Sequence, residues 1–338
     1  GLLRRKPDVG GVLLLKDFTS ILAMHRDARG QVLGALREIH DGRWDRNVGA
    51  DGGRTLTWTG RLGLVAGCTT AIDSAHAVMA EMGPRFVLVR LTEAPDHGDD
   101  LAGTALDHTG AESTMRQELR DAVGGLLAHL PGQPHPVDVD TRARLIALAR
   151  LVSLARSPVQ RDQQGEIVLV LDPEAPTRIV KTLGQLWKAS GLLGLELVDS
   201  WDVVRRVGLD SVPKLRRAVI DYLADAPPNT TSTTDVAQAV GHPTRTTRRA
   251  LEDLTAHKVV VRYPGGQGRA DSWELSETAR GWLTTIRTLP VSSDPRVGEP
   301  TNTQTEASTR TEFGDSTNPP SPNDDITGKV PAPVWDYS

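Results

Sequence analysis

GGVLLLKDFTSIL (residues 10–22), RGQVLGALREIHDG (29–42), RLGLVAGCTTAID (61–73) and MGPRFVLVRL (82–91) are the four segments on which the fold turns. Residues 12–15 form an unbroken apolar run ended by Lys16 and Asp17, the pattern of a strand buried on both faces. Val32, Leu36 and Ile39 recur at helical spacing over residues 31–39. Residues 61–67 are a second buried-strand candidate, with Thr69 and Thr70 at its carboxyl end. Residues 73–82 are again helical in pattern, and 86–91 are a third strand candidate. Strand, helix, strand, helix, strand is the rhythm of a parallel sheet with crossover helices. Ligands in such sheets gather at the carboxyl ends of strands, where Asp17, Thr69 and Thr70 fall.

On these residues the chain resembles the C-terminal half of an AAA+ ATPase core, of the helicase-like kind found in branch-migration and minichromosome-maintenance motors. GVLLLKD is similar to the Walker B strand, residues 28–42 to the helix after it, and LVAGCTTAID to the sensor-1 strand. GPRF stands where such proteins carry an arginine finger. The resemblance covers roughly residues 1–160. It implies that Asp17 orients a water, that Thr69 or Thr70 senses a γ-phosphate, and that Arg85 reaches a neighbouring subunit's nucleotide. The plain alternatives are a capping aspartate, an ordinary turn and a surface ion pair. Two departures stand out. No G-x-x-x-x-G-K-[ST] occurs, so ATP and Mg2+ are expected only if residues preceding Gly1 supply that phosphate loop; the opening without methionine suggests a fragment. Lys16 occupies the place of an acid and cannot ligate magnesium. The sequence thus predicts no ATP hydrolysis by this chain alone.

The chain has 338 residues and a formal net charge of −4, ordinary for a globular protein of two or three domains. A single cysteine, Cys68, excludes an internal disulfide and points to a reducing cytoplasm. No apolar run approaches the roughly 20 residues that span a bilayer, and no membrane association is expected. The histidines show no metal-ligand spacing. Residues 47–54, glycine-rich and charged, look like an exposed loop, and 55–59 fit a hairpin with 61–66. In AAA+ proteins an insertion here often grips substrate, which would bring Arg43, Arg46 and Arg54 to nucleic acid; a solvated loop is the alternative.

Residues 1–92 are therefore assigned to the partial core, 93–210 to a helical lid, 211–289 to a third module and 290–338 to a tail. Residues 112–130 read as an amphipathic helix with Leu119, Val123, Leu126, Leu127 and Leu130 on its face. Asp140 is placed to cap a helix over 141–156, which resembles the lid helix carrying sensor 2. Arg142 and Arg144 both lie near the expected nucleotide-sensing arginine, with a solvated helix face as the alternative. Residues 166–171 have strand composition, and Trp187 and Trp201 are expected in the lid core.

Residues 213–289 carry the clearest functional signal. Helices are predicted over 214–223, from Thr233 or Thr234 to 240, and over 244–257, followed by a glycine-rich hairpin. This resembles the winged helix-turn-helix of ArsR- and MarR-type regulators, and implies double-stranded DNA as partner. Similar actinobacterial and phage-type proteins join an AAA+-like core to such a C-terminus. On the third helix Thr247, Ala250, Leu251 and Leu254 form an inward stripe, while Arg245, Arg248 and Arg249 lie opposite, free to enter a major groove. Arg262 and Arg269 sit on the wing and reach phosphate. From Lys214 to Arg287 there are eleven Lys/Arg against eight Asp/Glu, so this module is basic within an acidic chain. A winged helix used for protein docking is the alternative. Residues 290–338, rich in Thr, Ser, Pro and Asn, are expected to be disordered. The whole reads as a cytoplasmic, DNA-binding homo-oligomer: an ATP-driven motor or switch when completed, or a transcriptional regulator whose core survives as a non-hydrolysing platform.

Overall fold

The computed structural model describes residues 11–49, 53–74, 86–91, 98–173, 175–228 and 231–289. Among them the architecture is mixed α/β, with twelve helices and four small sheets. The tail at 290–338 lies outside the described residues.

β1 (Gly11–Leu15) pairs in parallel with β4 (Leu62–Ala66), in register from Gly11 opposite Leu62 to Leu15 opposite Ala66. The ladder continues past the strands: Gly67 donates to the Leu15 carbonyl (3.0 Å) and Phe18 to the Gly67 carbonyl (2.7 Å). A Cβ at Gly67 would come 2.8 Å from the Lys16 carbonyl oxygen, so only glycine permits this approach. Between the strands run α1 (Thr19–Leu22), α2 (Arg26–His40), β2 (Arg43–Val48) and β3 (Arg54–Thr59). Gly42, at φ +99°, turns the chain out of α2 as expected. Phe18, Ile21, Leu33 and Ile72 form a small buried core beneath the parallel pair.

Three expectations for this region are corrected, and a fourth falls largely outside the described residues. β1 is not buried on both faces: among the described residues β4 is its one partner strand, and Val12, Leu14 and Val65 are 62, 72 and 61% exposed. Residues 86–91 join no strand: the amides of Leu88 and Arg90 donate to Ser211 Oγ and Asp210 Oδ2, at 2.9 and 2.8 Å. Residues 55–59 pair with β2, Trp58 opposite Trp44, rather than with 61–66, and the Gly60 amide extends that ladder by donating to the Gly42 carbonyl (3.0 Å). Of the helix predicted at 73–82, α3 (Ala71–Ser74) is described, and residues 75–85 lie outside the described residues.

α4 (Gly98–Asp107) and α5 (Glu112–Ala128) follow, and α5 buries no residue. α6 (Val139–Ala155) is capped by Asp138, which accepts the Thr141 amide at 2.6 Å, and not by Asp140, which lies inside the first turn. β5 (Val159–Arg161) and β6 (Ile167–Val170) make an antiparallel hairpin, placing a strand where 166–171 predicted one. α7 (Thr177–Leu192) and α8 (Leu197–Asp210) pack with α6. The indoles of Trp187 and Trp201 are buried as expected, donating to the carbonyls of Pro136 (2.8 Å) and Ile286 (3.0 Å).

α9 (Lys214–Asp225), β7 (Thr231–Ser232), α10 (Thr233–Val240) and α11 (Thr244–Ala256) lead into β8 (Val260–Tyr263), β9 (Ser272–Leu275) and α12 (Glu277–Arg287). The sheet order is β7-β9-β8, antiparallel throughout. Ser232 is the cap of α10, in a reciprocal box with Asp235, one residue before the predicted threonines. Gly241 turns left-handed at φ +66° between α10 and α11. α12 returns along α6. One hydrophobic core therefore runs from Leu145 to Ile286 without a break near residue 210.

Candidate functional site

α11 is two-faced. Thr247, Ala250, Leu251 and Leu254 are buried, and Arg245, Arg248 and Arg249 are exposed. The arginine side chains do not share one environment, however. Arg245 stands at the exposed start of the helix. Arg248 donates from Nε to Glu252 Oε1, one turn on (3.0 Å), and from Nη2 to Asp271 Oδ2 (3.3 Å). Arg249 lies across the β5–β6 hairpin, where a Cβ at Gly165 would overlap its guanidinium. Its side chain is thus directed at a neighbouring element rather than into open space, which corrects the expectation that all three arginines stand free.

Arg262 and Arg269 are both exposed, Arg262 on β8 and Arg269 on the β8–β9 connection. Arg262 pairs with Asp271 at 2.7 Å and lies over the buried Trp273 ring. Burial alone would raise the Asp271 pKa; the Gly265 amide, Arg262 and Arg248 outweigh it and hold the carboxyl below its ordinary value. Asp271 thereby ties the hairpin to α11.

Behind this face the charges continue inward. Arg161 reaches Glu252 (3.2 Å) and Asp253 (2.5 Å), and Arg216 reaches the other Asp253 oxygen (2.8 Å). Arg216 is 5% exposed and also donates to the carbonyls of Ala155 and Ser157 at the end of α6. Arg262, Asp271, Arg248, Glu252, Arg161, Asp253 and Arg216 alternate in sign from surface to core. Of these links Arg248–Glu252 is local, at i,i+4; Arg262–Asp271 spans the β8–β9 hairpin, and the others join residues distant in the chain.

At the carboxyl ends of β1 and β4, Asp17, Thr69 and Thr70 come together and are exposed. The Asp17 carboxylate accepts the Thr19 amide at 2.8 Å, and Thr19 Oγ1 and Thr69 Oγ1 share a hydrogen bond at 3.3 Å. The Thr70 carbonyl accepts the Asp73 amide. Burial pushes the nearby Cys68 thiol up, against the pull of Arg90. This donor set is one turn-forming carboxylate, two hydroxyls and a lysine, which does not fit magnesium–nucleotide unaided. Among the described residues no group of three His, Cys, Asp or Glu is placed to hold a metal. Arg85 lies outside the described residues.

Arg142 and Arg144 part company. Arg142 is exposed and lines a groove of about 450 Å3 between α6 and α7, with Lys181 and Lys188 opposite. Arg144 is 6% exposed, lies over the Trp201 ring and donates to Thr141 Oγ1 at 3.3 Å. On the β2–β3 hairpin Arg46 and Arg54 are exposed, and Arg43 pairs with Asp45. One residue that sequence reading passed over, Arg90, grips Asp73 through both terminal nitrogens (2.8 and 2.6 Å) and donates to the carbonyl of Asp210 at the end of α8. Comparison with known protein families, curated proteins and solved structures returns no match to this chain.

Proposed function

We propose that this chain is a DNA-binding protein whose α9–α12 region acts as a winged helix on double-stranded DNA. The reading rests on one observation: α11 exposes Arg245, Arg248 and Arg249 next to a glycine-rich hairpin bearing Arg262 and Arg269. The order helix, strand, helix, helix, hairpin, with the short β7 against β9, supports it. α11 would enter the major groove from its N-terminal end, Arg245 leading. Arg262 and Arg269 would take flanking phosphates, with Asp271 fixing the angle between hairpin and helix.

The parallel pair and its flanking helices would be an AAA+-like core, with α4–α8 as its helical lid. Two functions follow from that assignment. Completed by residues that supply a phosphate loop with ATP and Mg2+, the protein would be an ATP-dependent motor or switch. Without them it would be a transcriptional regulator on a non-hydrolysing, homo-oligomeric platform. Lys16 at the end of β1, and an Asp17 already engaged by the Thr19 amide, favour the second. No helix among the described residues is long and apolar enough to cross a membrane, compatible with work on DNA.

Fluorescence anisotropy with a labelled duplex tests the reading. Binding should weaken with salt, and Arg245→Ala/Arg248→Ala/Arg249→Ala should lower both affinity and the log–log salt slope, by about 0.9 for each phosphate no longer neutralised. Salt-independent binding, or a triple variant indistinguishable from the parent, would leave protein docking as the role of this face.

A further inference from the structure

The groove between α6 and α7, about 450 Å3, has the size of a small-molecule site, typically about 300–1,000 Å3. α7 runs back along α6. The Trp187 indole donates to the Pro136 carbonyl at 2.8 Å, and a Cβ added at Gly184 would meet Leu145 Cδ1 at 4.0 Å. In that antiparallel register Arg142, one turn before Leu145, and Lys188, one turn after Gly184, flank the same end of the groove. Lys181 stands two turns away on α7, roughly 10 Å along the axis. The floor between them is aliphatic. Ile146 is 40% exposed and Val180 half-buried, and Gly184, with no side chain, keeps the floor open.

Three cations line this groove and no acid does. Among the described residues the side chains of Arg142, Lys181 and Lys188 make no hydrogen bond or ion pair. Of the two acids at the start of α6, Asp138 accepts the Thr141 amide at 2.6 Å, and neither it nor Asp140 faces the groove. Elsewhere Arg205, Arg217 and Arg287 are matched by Asp202, Asp221 and Asp225. Unmatched positive charge beside uncovered aliphatic surface is complementary to a molecule anionic at one end and apolar along its length. Two cations across one end suit the double charge of a phosphate monoester better than the single charge of a carboxylate. No aromatic ring lines the floor for a base to stack on, which disfavours a nucleotide. A duplex backbone would leave the aliphatic floor uncovered.

We infer that the α6–α7 groove binds a small organic phosphate with an aliphatic body. The phosphate lies between Arg142 and Lys188, and the body covers Ile146, Val180 and Gly184. The site shares no residue with the arginine face of α11 and is independent of duplex binding.

Calorimetric titration of the full chain with octyl phosphate, kept below its micellar concentration, tests it; inorganic phosphate and octanol supply headgroup and chain separately. Octyl phosphate should saturate the protein and bind at least about tenfold more tightly than either part. Arg142→Ala/Lys188→Ala should weaken it at least about tenfold. Gly184→Leu should abolish binding by filling the groove. The space above Gly184 admits the new side chain, and unchanged helix content by circular dichroism would report a folded variant. Three results would overturn the inference: no saturable binding, inorganic phosphate binding as tightly as octyl phosphate, or a Gly184→Leu variant that binds like the parent. Vesicles containing phosphatidic acid separate a free ligand from a lipid headgroup; co-sedimentation with them, while octyl phosphate fails to bind, would also overturn it. Gly184→Leu should still bind duplex as the parent does, so failure here leaves the DNA-binding reading in place.

Discussion

Thr247 is fully buried in α11, and its hydroxyl has no hydrogen-bond partner among the described residues. An unpartnered buried hydroxyl costs on the order of 1 kcal/mol, and valine has the same shape without it. Thr247→Val is therefore expected to raise the urea midpoint, by about 1 kcal/mol in stability; a fall would mean that the hydroxyl has found a partner in solution. Asp271 makes the opposite case, an acid whose neighbours favour its charge. Its folded pKa is depressed, so its contribution is present above the unfolded value near 3.8 and is lost as pH falls through the lower folded value. Stability of the parent should drop more steeply below about pH 4 than that of Asp271→Asn, read from denaturation midpoints on either side of that pH. Arg144 teaches a related lesson about legibility. It shares its helical stripe with Thr141, Leu148 and Leu151, all buried, so the spacing already placed it inward. The expected alternatives are a nucleotide sensor and a solvated helix face, and the second does not hold for Arg144, whose buried side chain lies over Trp201.

At the scale of elements, the β5–β6 hairpin is held to α11 by charge. Arg161, with its side chain 16% exposed, sits between Glu252 and Asp253. Removing one partner of a buried pair typically costs about 3–5 kcal/mol. Each acid here retains a second arginine, Arg248 or Arg216, so Arg161→Ala should cost less, about 2 kcal/mol. Asp253→Asn, which leaves two arginines facing each other without their shared acid, should cost more, about 4 kcal/mol. Equal losses in chemical denaturation of the two variants would show that the arginines have independent support. The inner face of α11 was legible because its four inward positions, Thr247, Ala250, Leu251 and Leu254, follow at steps of three, one and three along one helical stripe. The hairpin against it was not, since nothing local in 159–170 records which distant helix lies beside it. The same limit explains β3. Residues 55–59 have the alternation of a strand, but alternation carries no information about which neighbour completes the ladder.

Over the whole molecule, burial is divided unequally. The parallel pair rests on a small core of Phe18, Ile21, Leu33 and Ile72, whereas α6 to α12 share one large core that includes Trp187, Trp201 and Trp273. The strands of the pair were legible in sequence because an apolar run ended by charge is a local signal. Their exposed outer face was not, because a run of leucines reads alike whether one face is covered or both. Among the described residues Arg90 ties the two regions ionically, joining Asp73 of α3 to the end of α8. Burial raises the Asp73 pKa and Arg90 more than reverses it, leaving the carboxyl below its ordinary value. Two cores of such unequal size should open separately. A fragment spanning residues 134–289 holds all buried members of the large core and both arginine-bearing elements. It is expected to unfold in one cooperative transition and to bind duplex with a salt slope like that of the full chain. Residues 1–92 alone, with only the small core to order them, are expected to show no cooperative melt. In the full chain, Arg90→Ala should raise amide exchange in β1 and β4 while leaving α6 and α11 protected. If exchange rose equally in all four elements, the molecule would be a single cooperative unit, and removal of the tie at Arg90 would be felt as far as the arginines of α11.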